Sequence, residues 1–233
     1  MKKAAVPVLI VCVAVLITSC RQEAGRGRIC ASPAWQPLFS DDLSNAVFPD
    51  GVWTVTDGVL TASEDQMIWT TQQYENFIID LEFKTGEAAN SGVVVYCTDR
   101  DDWIPNSVEV QIADDFAKQW AESPRTWQCG AIFGRLAASR SVVKRPGEWN
   151  SMTVACRGQN IVVVLNGEKV TEMDMSLWTS ATKNPDGSDI PPWLSKPLAE
   201  LPTKGYIGLQ GKHGGAPIFF RNVRIAGAHY CNE

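Results

Sequence analysis

The sequence predicts an all-β domain, a sandwich of two antiparallel sheets or a jelly roll, with one short helix. Three observations predict it: runs of alternating apolar and polar residues recur along the chain, tight-turn dipeptides separate them, and no heptad or internal repeat interrupts them. Short strands of this kind bury their apolar faces against a second sheet.

The first hairpin joins Val52 to Thr56 with Val59 to Ala62 across Asp57-Gly58, a strong turn signal. From Phe77 to Lys84, Phe77, Ile79, Leu81 and Phe83 share one face while Asp80, Glu82 and Lys84 share the other, so one face is core and one is wet. Gly92 to Thr98 is rich in β-branched residues and suits a central strand, and Glu109 to Asp114 also reads as a strand. Ala131 to Phe133 is a shorter one, and Trp149 to Cys156 alternates through Met152 and Val154. Ile161 to Leu165 turns at Asn166-Gly167 and returns through Val170, and Tyr206 to Gln210 and Ile218 to Ile225 close the series. A short helix is expected around Phe116 to Ala121. Residues 176–204 carry Pro185, Pro191, Pro192, Pro197 and Pro202 and read as a long ordered loop, of the kind that carries function or covers a sheet edge.

The amino terminus reads as a lipoprotein signal. Lys2 and Lys3 precede an apolar run from Ala4 to Ile17, too short for a membrane span, which ends in Leu16-Ile17-Thr18-Ser19-Cys20. Residues 1–19 are expected to be removed, Cys20 to carry the lipid, residues 20–33 to form a flexible tether, and residues 34–233 to form a single domain. The expected location is the bacterial cell envelope, periplasmic or at the outer-membrane surface, with the membrane as a partner through the lipid anchor. Removal of the signal leaves 19 basic against 26 acidic residues, a balance that disfavours nucleic acid as a partner.

Five cysteines remain besides Cys12 and Cys20, an odd number. Cys30 and Cys231 lie just outside the two ends of the domain and form the expected disulfide. Cys97 with Cys129 is a second, weaker pairing, and Cys156 falls at an inward strand position as a small buried hydrophobe. With two histidines and no paired C-x-x-C spacing, a structural zinc site is not expected.

Glu109-Val-Gln111-Ile-Ala-Asp114 is the most informative segment for chemistry. Glu109 and Gln111 lie two apart on a strand and share a face. Asp114, three beyond Gln111, points the other way unless a β-bulge re-aims it. The competing reading is an exposed strand with solvated acids.

Asn90-Ser91-Gly92, Glu109-Val-Gln111 with Asp114, Gly147-Glu-Trp149-Asn150, Asn166-Gly167, Leu209-Gln210-Gly211-Lys212-His213-Gly214 and Phe220-Arg221-Asn222 together resemble the 3-keto-disaccharide hydrolase domain family. The match runs from about Trp35 to Ile225. The resemblance implies a concanavalin A-like jelly roll and a glycoside hydrolase or lyase acting on 3-keto-glycosides, with carbohydrate as its partner. Where many members carry an arginine near the end of the Asn-Ser-Gly strand, this chain has Tyr96 and Cys97. The same spacing resembles the Glu-x-Asp-x-x-Glu strand of retaining β-glucanases, but Gln111 and Asp114 replace two of its acids. A carboxylate shorter by one methylene misses its position by roughly an ångström, which disfavours direct glucanase chemistry.

A 3-keto-glycoside can be cleaved by direct hydrolysis or, because a ketone at C3 acidifies the hydrogen on C2, by proton abstraction and β-elimination followed by hydration, which needs a base and a group that holds enolate charge. Glu109 is the candidate base, its pKa raised by desolvation. Lys212, His213 and Arg221 are candidates for the developing charge, and His213 for protonating the departing oxygen. The competing reading of Arg221 is a structural ion pair, and of Lys212 a solvated surface side chain. Asn90, Gln111 and Asp114 are candidates for sugar hydroxyls or, with Glu109, for a divalent cation such as calcium. Of nine tryptophans, Trp53, Trp69 and Trp149 sit in strand patterns and read as core. Trp103, Trp127 and Trp193 lie in or near loops and are candidates to line a cleft, Trp103 first. Two other classes remain open: a lectin-like carbohydrate-binding module without catalysis and a structural envelope lipoprotein.

Overall fold

The alternation read between Phe77 and Lys84 holds: Phe77, Ile79, Leu81 and Phe83 are buried and Asp80, Glu82 and Lys84 are only partly so. The structure, a computed structural model, describes residues 29–32 and 34–231. Its strands are β1 (Ile29–Ala31), β2 (Gln36–Pro37), β3 (Ala46–Val47), β4 (Trp53–Thr56), β5 (Val59–Ala62), β6 (Ile68–Thr70) and β7 (Phe77–Thr85). There follow β8 (Asn90–Cys97), β9 (Val108–Ala113), β10 (Asn150–Arg157), β11 (Asn160–Leu165), β12 (Glu168–Asp174), β13 (Tyr206–Leu209) and β14 (Ile218–Tyr230). The one α-helix among the described residues, α1 (Lys118–Ala121), is shorter than the expected Phe116 to Ala121.

Two antiparallel sheets form the sandwich. The larger runs β12-β11-β10-β7-β14-β5-β4, with β1 and β2 also on β14; the smaller runs β3-β6-β13-β8-β9. The inner faces meet in one core, where Ile79, Leu81 and Phe83 of β7 face Val93 and Val95 of β8 and Val110 and Ile112 of β9. Residues 130–133 lengthen the smaller sheet beyond β9: Gly130 N donates to Gln111 O, Gln111 N to Ala131 O, and Phe133 N to Glu109 O. The loop over 176–204 is ordered, as expected, and covers that edge. Asn184, buried, accepts from Trp178 Nε1 at 3.0 Å and donates to Gly134 O at 3.2 Å.

Cys30 and Cys231 form the expected disulfide, with Cα atoms 5.5 Å apart. The tether assignment needs correction at its end. Ile29–Ala31 pairs with Ala228 to Tyr230 of β14, because the disulfide and the unpaired edge of β14 hold it there. Trp35, Ile29 and Ala31 cover Ile78, Ala155 and Val162 on the outside of the larger sheet. The signal segment, Cys20 and the tether before Ile29 lie outside the described residues. The pairing of Cys97 with Cys129 is not formed: both are free and buried. They lie on opposite faces of the smaller sheet, Cys97 with Met67, Trp69 and Val94 on the outside and Cys129 in the core. Cys156 is a buried free thiol, as read from its strand position.

Candidate active site

β9 has an unbroken register with β8, pairing Glu109 with Val94, Gln111 with Gly92 and Ala113 with Asn90. Its Val108, Val110 and Ile112 enter the core, so Glu109 and Gln111 turn to the outer face of the smaller sheet. Gly92 makes the room for Glu109: a Cβ there would lie 2.2 Å from Glu109 Oε1 and 2.8 Å from its Cγ. The carboxyl group thus lies over the backbone of β8, a position no larger residue at 92 would permit.

Glu109 lines a cleft with Trp103, Ser107, Phe133, Arg135 and Leu194. Part of its surface stays open to that cleft, yet burial alone pushes its pKa up to about 8. Among the described residues no side chain donates a hydrogen bond to it, so nothing offsets the desolvation. It is a carboxyl group poised to exchange a proton near neutral pH.

The neighbouring positions on this face are polar. Gln111, buried, donates from Nε2 to Asn90 Oδ1 at 2.8 Å. Gln210 follows Leu209, which pairs with Val93, so strand alternation sets Gln210 beside Gly92 on the outer face. Its N–H donates to Gly92 O at 3.0 Å. Beyond it the chain turns through Gly214 and Gly215, both at positive φ, and His213 bridges to Asn90. His213 Nδ1 lies 2.7 Å from Asp65 Oδ2, and both side chains are about half exposed. The contact through Nδ1 orients the imidazole and turns Nε2 away from Asp65. Lys212 is partly exposed next to it, with no ion pair among the described residues.

Aromatic rings flank Glu109 on two sides. Trp103 packs edge-on against Trp69 at 6.3 Å, and Ser107 Oγ donates to Trp103 O at 2.7 Å. Phe133, the cross-strand neighbour of Glu109, lies 5.4 Å from Trp127, which lies 6.2 Å from Trp193. Trp103, Trp127 and Trp193 thus gather around the outer face. Trp53 is core as expected, whereas Trp69, buried, packs on the outer face of the smaller sheet. Trp149 lies outside the larger sheet, its ring 4.0 Å from the Arg221 guanidinium.

Two expected site residues are elsewhere. No bulge interrupts β9, so Asp114 leaves the face of Glu109 and is buried, its oxygens accepting from Ala88 N at 2.8 Å and Phe116 N at 3.1 Å. It anchors the turn between β7 and β8. Arg221 sits on β14 of the larger sheet, across from Glu82, to which its Nε donates. The sandwich core separates it from Glu109, so the ion-pair reading holds. The cation set Glu109, Asn90, Gln111 and Asp114 does not fit a metal: the oxygens of Asp114 are taken by backbone N–H groups and Asn90 Oδ1 by Gln111. Among the described residues no three His, Cys, Asp or Glu side chains converge as ligands.

The residues that alternation missed are Gln210, Phe133, Arg135 and Asp65. Gln210 was within a recognised motif, but the other three lay in segments whose place at the site depends on tertiary contacts.

A family model for the 3-keto-alpha-glucoside-1,2-lyase-like domain matches residues 34–226. The chain belongs to this family. A crystal structure of a Parabacteroides distasonis ATCC 8503 protein assigned as a glycosyl hydrolase is 62% identical, with a TM-score of 0.82 over 83% of this chain and 99% of that one. A Bacillus subtilis protein with a galectin-like fold is 16% identical, with a TM-score of 0.56 over 88% of this chain and 100% of that one. The carbohydrate-binding module CBM66 of Bacillus subtilis is 10% identical, with a TM-score of 0.50 over 81% of this chain and 99% of that one. The last two likenesses concern the fold alone. No curated protein matches the chain. Family membership agrees with the resemblance read from the motifs, and the jelly-roll sandwich with the fold expected from the strand pattern.

Proposed function

We propose that the protein cleaves the glycosidic bond of 3-keto-glycosides, with Glu109 as the base that removes the C2 proton. The carrying observation is the Glu109 carboxyl over Gly92, its pKa pushed up to about 8 in an aromatic-lined cleft. The electron pair of the C2–H bond passes to the ketone oxygen as an enolate. It then returns to form the C1–C2 double bond as the C1–oxygen bond breaks. His213, held by Asp65, protonates the departing oxygen through Nε2, and Lys212 faces the enolate charge. Water then adds its oxygen to C1, Glu109 returns its proton to C2, and the proton released by the water restores His213, a net hydrolysis without any change of oxidation state. Asn90, Gln111 and Gln210 supply amides for the ring hydroxyls, and Trp103 an apolar ring face. The family and the 62% identical protein assigned as a glycosyl hydrolase support an enzyme over a binding module.

The Leu16 to Cys20 lipobox supports a lipid-anchored protein of the cell envelope, which mass analysis of the mature amino terminus would test. The function is tested by product release from methyl 3-keto-α-glucoside and from methyl α-glucoside, with Glu109→Gln alongside. Turnover of the keto compound alone, lost in the variant, is the expected result. Binding of both sugars without product in the wild type would identify a lectin-like module instead.

A further inference from the structure

The rings beside Glu109 continue outward. Phe133, Trp127 and Trp193 form a chain in which neighbouring centroids lie 5.4 and 6.2 Å apart. The inner end adjoins the carboxyl group across the strand pair, and the outer end is open, with Trp193 49% exposed. An indole left this open at the rim of a cleft is ordinarily free to move and costs apolar surface in water. Here its backbone is fixed on both sides.

Pro191 and Pro192 precede Trp193, and Leu194 follows it against Gly134, where a Cβ would lie 2.5 Å from Leu194 Cδ1. Gly134 has φ +67°, so a side chain there would be strained as well as crowded. Arg135 then clamps the loop from beneath, its Nη2 donating to Leu194 O at 2.6 Å and Lys196 O at 2.8 Å. Arg135 is 5% exposed, has no acidic partner among the described residues, and leaves Nη1 buried without a hydrogen bond. Burial lowers its pKa to about 10. A buried, unpaired cation is a costly way to hold a loop, and what it holds still is the segment carrying the exposed indole.

We infer that Trp193, backed by Trp127, forms the subsite for the leaving group of the glycoside, and that this group is a neutral sugar ring. The inference rests on the proposed cleavage at Glu109. The bond that breaks must lie near the carboxyl group, and the ring chain leads from there to solvent on the side away from the polar row of Gln111, Gln210 and Asn90. Among the described residues no cation is seated on Trp127 or Trp193, so their faces remain available to the C–H face of a sugar. A fixed indole binds such a ring without the entropy cost of ordering a mobile loop.

The test compares wild type, Trp193→Ala and Trp193→Phe of the full chain on 3-keto-maltose and on methyl 3-keto-α-glucoside. Both donors carry the same oxidised ring and differ only in the leaving group. For Trp193→Ala, kcat/KM should fall about tenfold on the disaccharide and stay within about twofold on the methyl glycoside, with Trp193→Phe recovering most of the loss. Equal losses on both substrates, or none on either, would overturn the subsite. Should wild type turn over neither compound, the parent function fails, and calorimetric titration with maltose decides the subsite by itself. Binding by wild type that Trp193→Ala weakens about tenfold retains it, and binding that is absent or unchanged rejects it.

Discussion

Glu109→Gln should make the protein more stable at neutral and alkaline pH, and by an amount that grows with pH. Glutamine keeps the size of the protonated acid and removes its titration. In the unfolded chain the carboxyl ionises near its ordinary value of 4.5, whereas in the folded protein burial holds it neutral up to about 8. Between those values the folded state binds more protons than the unfolded state, so stability falls as pH rises. Below about pH 4 both states are protonated and the residue costs nothing. The cost reaches roughly 3 kcal/mol at pH 7 and levels off near 5 kcal/mol above pH 8, as an upper figure because part of the side chain meets the cleft. Urea unfolding of wild type and variant at pH 5, 7 and 9 measures it directly. The curves should converge at low pH and separate toward pH 9. Parallel curves at all three values would mean that Glu109 is not desolvated, and the basis for its role as a tuned base would go with it.

Gly92→Ala should remove activity by a factor of about a hundred or more while the domain still folds, because its Cβ meets the movable end of Glu109; crystallography or activity at unchanged melting temperature would check it. The rate of 3-keto-glycoside cleavage should rise with pH through about 8, the range in which Glu109 becomes a carboxylate, and a profile that falls there would assign Glu109 the acid role instead. Asp65→Asn should lower kcat more than it changes KM, since His213 loses the carboxylate that orients it, and steady-state kinetics on the 3-keto-glycoside would check it. Arg221→Gln should leave kcat within about twofold and cost under about 1 kcal/mol in urea unfolding, as expected of a partly exposed ion pair on the far sheet.

The strands were legible because their period is local. Phe77 through Phe83 alternate with Asp80 through Lys84, and the hairpins at Asp57-Gly58 and Asn166-Gly167 close with two residues each, so neighbouring residues carry the whole signal. The shared face of Glu109 and Gln111 followed from the same arithmetic, and the meeting of Cys30 with Cys231 from the tendency of domain ends to lie together.

Arg221 shows where that logic stops. Alternation turns it out of the core but says nothing about which of two sheets β14 joins, and pairing with β7 carried it to the side opposite Glu109. Asp114 depended on whether β9 bulged, which its pairing with β8 decided. Asp65 reaches His213 across 148 residues, and Arg135 reaches Leu194 across 59. The sequence by itself determined the strand periods, the turns, the family motifs and the side of β9 that bears the carboxyl group, because each is a property of a few consecutive residues. Only the tertiary structure decided which distant loops close around that group, because desolvation and side-chain convergence are set by the pairing of whole strands and by no single stretch of chain.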